Sequence, residues 1–166
     1  MKTSQIGIDL IKYFEGLHDG DLTTIGLQPK MCPAGIWSQG YGSAMLDKNG
    51  KFIKGIENKK LAYSLITIRT EAQAETALAA DLTRFERIVV NNIVKNTPLN
   101  QNEFDSLVSY TYNTGGSDTL FKLINTNAKS EDIKEWFTTK YISANGIVLP
   151  GLVARRKAEC KLYFLE

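Results

Sequence analysis

The stretch TEAQAETALAADLTRFERIVVNNIV, residues 70–94, is the longest helical signal in the chain and divides the rest into two kinds of sequence. Thr70 and Gln73 stand at capping-box spacing, so each side chain can satisfy the other's backbone N–H at a helix start. Ala74, Leu78, Leu82, Phe85 and Val89 then recur at helical spacing and predict one apolar face. The segment before it is rich in glycine, with Gly20, Gly26, Gly35, Gly40 and Gly42 punctuating residues 18–43. Beyond it the apolar periodicity is helical almost to the end.

Towards the N-terminus, Ile6, Leu10, Ile11 and Phe14 predict a first helix from Ser4, as N-cap, to Glu15. Gly16 is suited to end it in a left-handed conformation. Residues 18–43 carry no regular period, and AMLDKNGKFIKGI (44–56) places Asn49-Gly50 between alternating segments, a hairpin signal. Towards the C-terminus, Asn100 and Glu103 cap a helix bearing Phe104, Leu107, Val108 and Thr111 on one side, ended by Gly115-Gly116. Residues 119–125 add a turn or two, Ser130 caps a helix with Ile133, Trp136 and Phe137, and a last helix follows Pro150-Gly151. The expected architecture is α+β and mainly helical: one domain over residues 1–166. A small β-containing lobe (about 17–69) and a larger helical lobe (about 1–16 and 95–166) are joined by the helix at about 70–94, with a cleft between them as the expected ligand site.

Composition excludes several functions. Of 166 residues, 43% are hydrophobic and 23% charged, enough for a packed core. A formal charge of +2 without a Lys/Arg stripe gives no reason to expect nucleic acid as a partner. Cys32 and Cys160 are too few and too far apart for a disulfide framework, and the single histidine, His18, has no partner at metal-ligand spacing, so a zinc site is not expected. No window reaches the roughly 18–20 apolar residues of a membrane span. Asp9, Lys12 and Glu15 interrupt the N-terminal segment, so the chain is expected to lack a signal core and to stay in the cytoplasm where it is made; no oligomer signal is visible, so a monomer is expected.

Two segments have the residues for chemistry. In LIKYFEGLHDGD (10–21), Glu15 occupies a helix end, where the macrodipole opposes a negative charge, as a general acid requires. A solvated helix-end carboxylate is the plainer description of the same residue. In MCPAGIWSQGYG (31–42), Trp37 is suited to stack on a sugar and Ser38 to position a water, while a Gly-rich turn with Trp37 in the core is the plainer description.

The blocks YFEG (13–16), CPAGIWSQGYG (32–42), PLNQNEFDSLVSYTYNTG (98–115) and PGLVARRKAECKLY (150–163), in this order, resemble the phage-type lysozymes of glycoside hydrolase family 24 over nearly the whole chain. The resemblance implies a lysozyme-like two-lobed fold and hydrolysis, without cofactor or metal, of the β-1,4 bond between N-acetylmuramic acid and N-acetylglucosamine in peptidoglycan glycan strands. It implies Glu15 as catalytic acid, Cys32 at the family's Asp-or-Cys position and Ser38 at its Thr position. Asn113 would reach the glycan, Tyr112 would pack along the site, and Arg155 or Arg156 would orient Glu15 unless both lie on a solvated helix face. It also implies an endolysin held in the host cytoplasm until a holin opens the membrane.

The match departs from the family in three places. Sixteen residues, against the family's eight, separate Glu15 from Cys32, so HDGDLTTIG (18–26) or its neighbours form an insertion. Ser43 replaces a frequent His after the GYG, and Cys32 stands where many members carry Asp. Inverting glycosidases use a second carboxylate roughly 6.5–9.5 Å from the acid. A thiol, with a reference pKa near ~8.5, is a weak substitute. Asp19 or Asp21 is therefore a candidate for the missing carboxylate, although both are also natural turn formers around Gly20. With one Glu certain and the base open, a lytic transglycosylase and a non-cutting glycan-binding module stand as alternatives to the hydrolase.

Overall fold

The computed structural model describes residues 1–94 and 97–165. The expected start of the helical lobe at residue 95 and the last residue of the expected final helix, Glu166, lie outside the described residues. The chain resolves into two compact units, one of residues 15–81 and one of residues 1–14 with 82–166.

The first unit carries a three-stranded antiparallel sheet within the stretch read as irregular. Strands β1 (Lys30–Met31), β2 (Trp37–Gln39) and β3 (Ser43–Ala44) pair with Lys30 opposite Ser38 and Ser38 opposite Ala44. They are only two or three residues long, too short to show a period of two. The turn expected at Asn49-Gly50 forms: Asp47 N–H donates to the Lys51 carbonyl (2.8 Å), the Asp47 carboxylate accepts from Asn49 and Lys51 N–H, and Gly50 takes a positive φ. A 3-10 turn (Ile56–Asn58) and helix α2 (Lys59–Ser64) follow. Trp37, Met45, Ile53 and Ala62 form the core of this unit, with Met31 and Tyr63 packed on it.

Helix α1 spans Gln5–Glu15, and α3 spans Glu71–Asn92 close to the expected limits. The Thr70/Gln73 box is present, with Gln73 N–H on Thr70 Oγ1 (3.3 Å) and Thr70 N–H on Gln73 Oε1 (3.2 Å). Ser4 does not act as the expected side-chain cap. Its hydroxyl and its N–H both go to the carboxylate of Asp105, which is fully buried and also accepts from Gln101. Gly7 lies so close to that contact that a Cβ there would stand 2.8 Å from Asp105 Cβ.

The helical unit is built around α4 (Gln101–Thr114), capped by the Asn100/Glu103 box and closed by left-handed Gly115. The sequence predicts one apolar face, yet every residue from Phe104 to Thr111 is buried. Its small polar residues make that possible: Ser106 Oγ donates to the Glu159 carbonyl (2.7 Å) and Ser109 Oγ to the Glu159 carboxylate (2.8 Å), so burial leaves neither unpaired. Around it lie α5 (Asp118–Asn125), α6 (Ser130–Thr139) and α7 (Pro150–Tyr163), with a small hairpin of β4 (Ser143–Ala144) and β5 (Ile147–Val148). Ser130 is the first helical residue of α6 and not its cap, a position taken by Lys129. Among the described residues no helix is long and apolar enough to cross a membrane.

Candidate active site

Glu15 is the last residue of α1, half-buried, and Gly16 follows at φ 68°, the left-handed conformation expected of it. That turn sends the chain towards the sheet. His18 N–H donates to the Gly40 carbonyl (2.8 Å), which pins the segment after the helix end to the chain just past β2. Gly40 itself has φ 60°, and a side chain there would press on Ala74, whose Cβ would lie 3.1 Å away. On β2, Ser38 points back at the same segment. Its Oγ lies 3.0 Å from His18 Nδ1 and 3.2 Å from the Lys30 carbonyl oxygen, and the residue is buried.

From sequence, His18 has only a negative reading, as a histidine without partners at metal-ligand spacing. The structure brings it to Ser38 and within reach of the Glu15 charge. Burial lowers the pKa of the imidazole, the Lys30 charge lowers it further, and the Glu15 charge acts in the opposite direction. The neutral ring is therefore the favoured form near neutral pH. A histidine three residues after a candidate acid was a usable signal, had it been weighed as a proton carrier.

Cys32 follows β1 in a turn in which its N–H donates to the Ile36 carbonyl (2.8 Å) and its carbonyl accepts from Gly35 N–H (2.8 Å). The thiol is free and half-buried. Asp19 and Asp21 serve the inserted loop. Asp19 Oδ1 accepts from the N–H groups of Asp21 (3.2 Å) and Gln28 (3.3 Å). Asp21 accepts from Thr23 Oγ1 (2.6 Å), Thr23 N–H (3.0 Å) and Thr24 Oγ1 (2.8 Å), and these bonds hold its carboxyl below the ordinary range. Both make the turn-forming hydrogen bonds expected of them around Gly20.

Trp37 requires a correction. It is 4% exposed, its ring packs edge-on to Tyr63 (6.0 Å between centroids), and its Nε1–H donates to the Gly55 carbonyl (2.8 Å). A ring so enclosed has no face for a sugar. Ser43, at the position where a histidine was expected, donates to Asp81 Oδ2 (2.6 Å), and Tyr41 OH donates to Glu71 (2.7 Å), so both ends of the GYG turn are tied to α3.

The other expected residues lie in the helical unit. Tyr112 packs on Phe85 with centroids 4.9 Å apart. Asn113 is exposed near the C-terminal end of α4 and its Oδ1 accepts from Arg156 Nη2 (2.9 Å), which turns its amide NH₂ the other way. Arg155 and Arg156 are both buried, which removes the solvated-face alternative. Glu159 pairs with both: Arg155 Nε donates to Oε1 (3.0 Å), Arg156 Nη2 donates to Oε1 (3.2 Å), and Arg156 Nε lies at ion-pair distance, 3.0 Å, from Oε2. Glu159 was legible as their partner, since three and four residues from two arginines is an ion-pair spacing on a helix.

The family model described as "Phage lysozyme" matches residues 20–159. The chain belongs to the phage lysozyme family. As a member of that family it is a peptidoglycan-lytic enzyme. An endolysin of Acyrthosiphon pisum secondary endosymbiont phage 1 is 30% identical over 98% of this chain and 98% of its own length. Among solved structures, the endolysin from Escherichia coli O157:H7 phage FAHEc1 superposes with a TM-score of 0.69 at 30% identity, covering 99% of this chain and 94% of that one. The muramidase domain of SpmX from Asticaccaulis excentricus reaches a TM-score of 0.71 at 27% identity, covering 99% of both chains. This phage lysozyme family member thus shares the lysozyme-like α+β fold over its full described length.

Proposed function

We propose that this lysozyme is a muramidase that hydrolyses the β-1,4 bond between N-acetylmuramic acid and N-acetylglucosamine, with Glu15 protonating the leaving glycosidic oxygen. The observation that carries the reading is the placement of Glu15. A helix end and a left-handed glycine hold its carboxyl near His18, close enough for its charge to act on the imidazole, and His18 in turn touches the buried Ser38 hydroxyl. An acid beside a fixed hydroxyl and a neutral imidazole is the equipment of proton transfer. The likeness to the muramidase domain of SpmX supports the same reading. Ser38 then orders the polar groups beside the acid, Cys32 lines the turn next to the strand that bears it, and Asn113 and Tyr112 are the glycan contacts of the helical unit. Arg155 and Arg156 act through the buried cluster at Glu159. The protein acts as a monomeric endolysin that waits in the host cytoplasm and reaches the wall through a holin lesion.

A transglycosylase reading has one specific support: Asp19 and Asp21 both accept hydrogen bonds within the inserted loop, as turn-forming residues do. Mass spectrometry of the muropeptides released from purified peptidoglycan, with Glu15→Gln alongside, tests both. Gln keeps the shape of the side chain and removes the proton, so nearly complete loss of release by a folded variant is expected. Reducing N-acetylmuramic ends support the hydrolase and anhydromuramic ends support the transglycosylase. An active Glu15→Gln protein, or glycan bound by the wild type without release, refutes both.

A further inference from the structure

Hydrolysis needs a water activated on its way to the anomeric carbon, and the two carboxylates of the inserted loop accept hydrogen bonds from the loop itself. We propose that His18 is the general base, taking a proton from the attacking water through Nε2 while Glu15 delivers one to the leaving oxygen. The inference rests on the muramidase reading.

The hydrogen-bond geometry determines which ring nitrogen is available. Ser38 Oγ carries one proton and has two neighbours, the Lys30 carbonyl oxygen at 3.2 Å and His18 Nδ1 at 3.0 Å. A carbonyl oxygen only accepts, so the two contacts are hydrogen bonds together only when the hydroxyl donates to the Lys30 carbonyl. His18 Nδ1 then approaches a hydroxyl oxygen whose proton is already committed, and the contact is a hydrogen bond only when Nδ1 carries the hydrogen. In the neutral ring that places the lone pair on Nε2. The ring is held at both ends of the residue: the backbone N–H on the Gly40 carbonyl and Nδ1–H on Ser38. Second-atom fixation of this kind is how proteins set the tautomer of a working histidine.

The charged groups facing the ring come from two elements. Lys30 on β1 disfavours the imidazolium, and Glu15 at the end of α1 favours it. Together with partial burial they leave the ring neutral at rest and give the charged form one compensating carboxylate during turnover. In the reaction the glycosidic C–O bond breaks as Glu15 gives its proton to the leaving oxygen. The water oxygen bonds the anomeric carbon and its proton passes to Nε2. The resulting imidazolium and Glu15 carboxylate return to their starting forms when that proton moves to Glu15 through solvent.

The activity of a neutral base is present above its pKa and lost as pH falls through it. The wild type should therefore show an acidic limb in kcat/KM, which reports the free enzyme, below the usual imidazole value of 6.5. Because His18 is the chain's one histidine, its titration is read directly from the imidazole proton signal in NMR, and the midpoint should coincide with the limb. The deciding variant is His18→Asn, whose amide NH₂ can replace Nδ1–H as donor to Ser38 but offers no ring base. A loss of about 100-fold or more in kcat, the usual range for a lost general base, with KM little changed and the acidic limb gone from the residual activity, supports the proposal. Activity within a few-fold of wild type, with the limb intact, overturns it and leaves His18 as a support for Ser38. If His18→Asn fails to fold, the wild-type comparison decides: a limb displaced from the NMR midpoint overturns the assignment. Muropeptide ends keep the two proposals apart, since reducing ends from the wild type with an inactive Glu15→Gln preserve the muramidase reading whatever His18→Asn does.

Discussion

Replacing Glu159 by Gln removes one negative charge from a site where two guanidiniums depend on it. The carboxylate is fully buried and takes hydrogen bonds from Ser109 Oγ (2.8 Å), Arg155 Nε (3.0 Å) and Arg156 Nη2 (3.2 Å), with Arg156 Nε at 3.0 Å from its second oxygen. Burial disfavours the ionised carboxyl, and the two guanidiniums oppose that effect. An amide of the same shape keeps one acceptor and turns an NH₂ towards donors, so Arg156, itself fully buried, loses its counter-charge. Breaking a buried ion pair from one side costs about 3–5 kcal/mol, a large part of the roughly 5–15 kcal/mol that stabilises a domain. At about 2–4 °C per kcal/mol for a chain of this size, Tm should fall by about 6–20 °C. Far-UV circular dichroism melts at pH 7 and urea titrations of the two proteins measure it. A fall of less than about 3 °C would refute the claim that Glu159 neutralises both arginines.

Trp37→Ala should destabilise the protein by about 3–5 kcal/mol in urea titration, because a ring packed on Met45, Ile53 and Tyr63 leaves a cavity; a change within 1 kcal/mol, together with weaker glycan binding, would restore the sugar-stacking role. Asp21→Ala should leave muropeptide release at the wild-type level while exposing the inserted loop to limited proteolysis, and a collapse of activity would return Asp21 to the catalytic machinery. The Asp21 carboxyl is lowered in the folded loop, so its support is present above the ordinary carboxylate pKa of 3.8 and is lost as pH falls below it. In the wild type, proteolysis of this loop should therefore increase below that pH.

Long-period and local signals were readable without coordinates. The α3 face, the Thr70/Gln73 and Asn100/Glu103 boxes, left-handed Gly16 and Gly115 and the Asp47–Lys51 turn all depend on side chains within a few residues of one another, so the sequence carries them directly. The three-stranded sheet was missed because two- and three-residue strands show no alternation and exist only through partners farther along the chain. Burial around α4 was missed for a related reason: Asp105, Ser106 and Ser109 appear polar, and only distant partners at Ser4 and Glu159 allow them inside.

The candidate site divides the same way. By itself the sequence determined the residue types, a glutamate at a helix end and a hydroxyl in a Gly-rich turn, because these follow from local order and from resemblance. Only the tertiary structure decided that Trp37 is core, that Asp19 reaches Gln28 nine residues on, that Ser109 joins the two arginines at Glu159, and that His18 meets Ser38 twenty residues away. Each of these depends on which buried polar atom finds a partner, and that is settled by packing between segments rather than by the chemistry of any one of them.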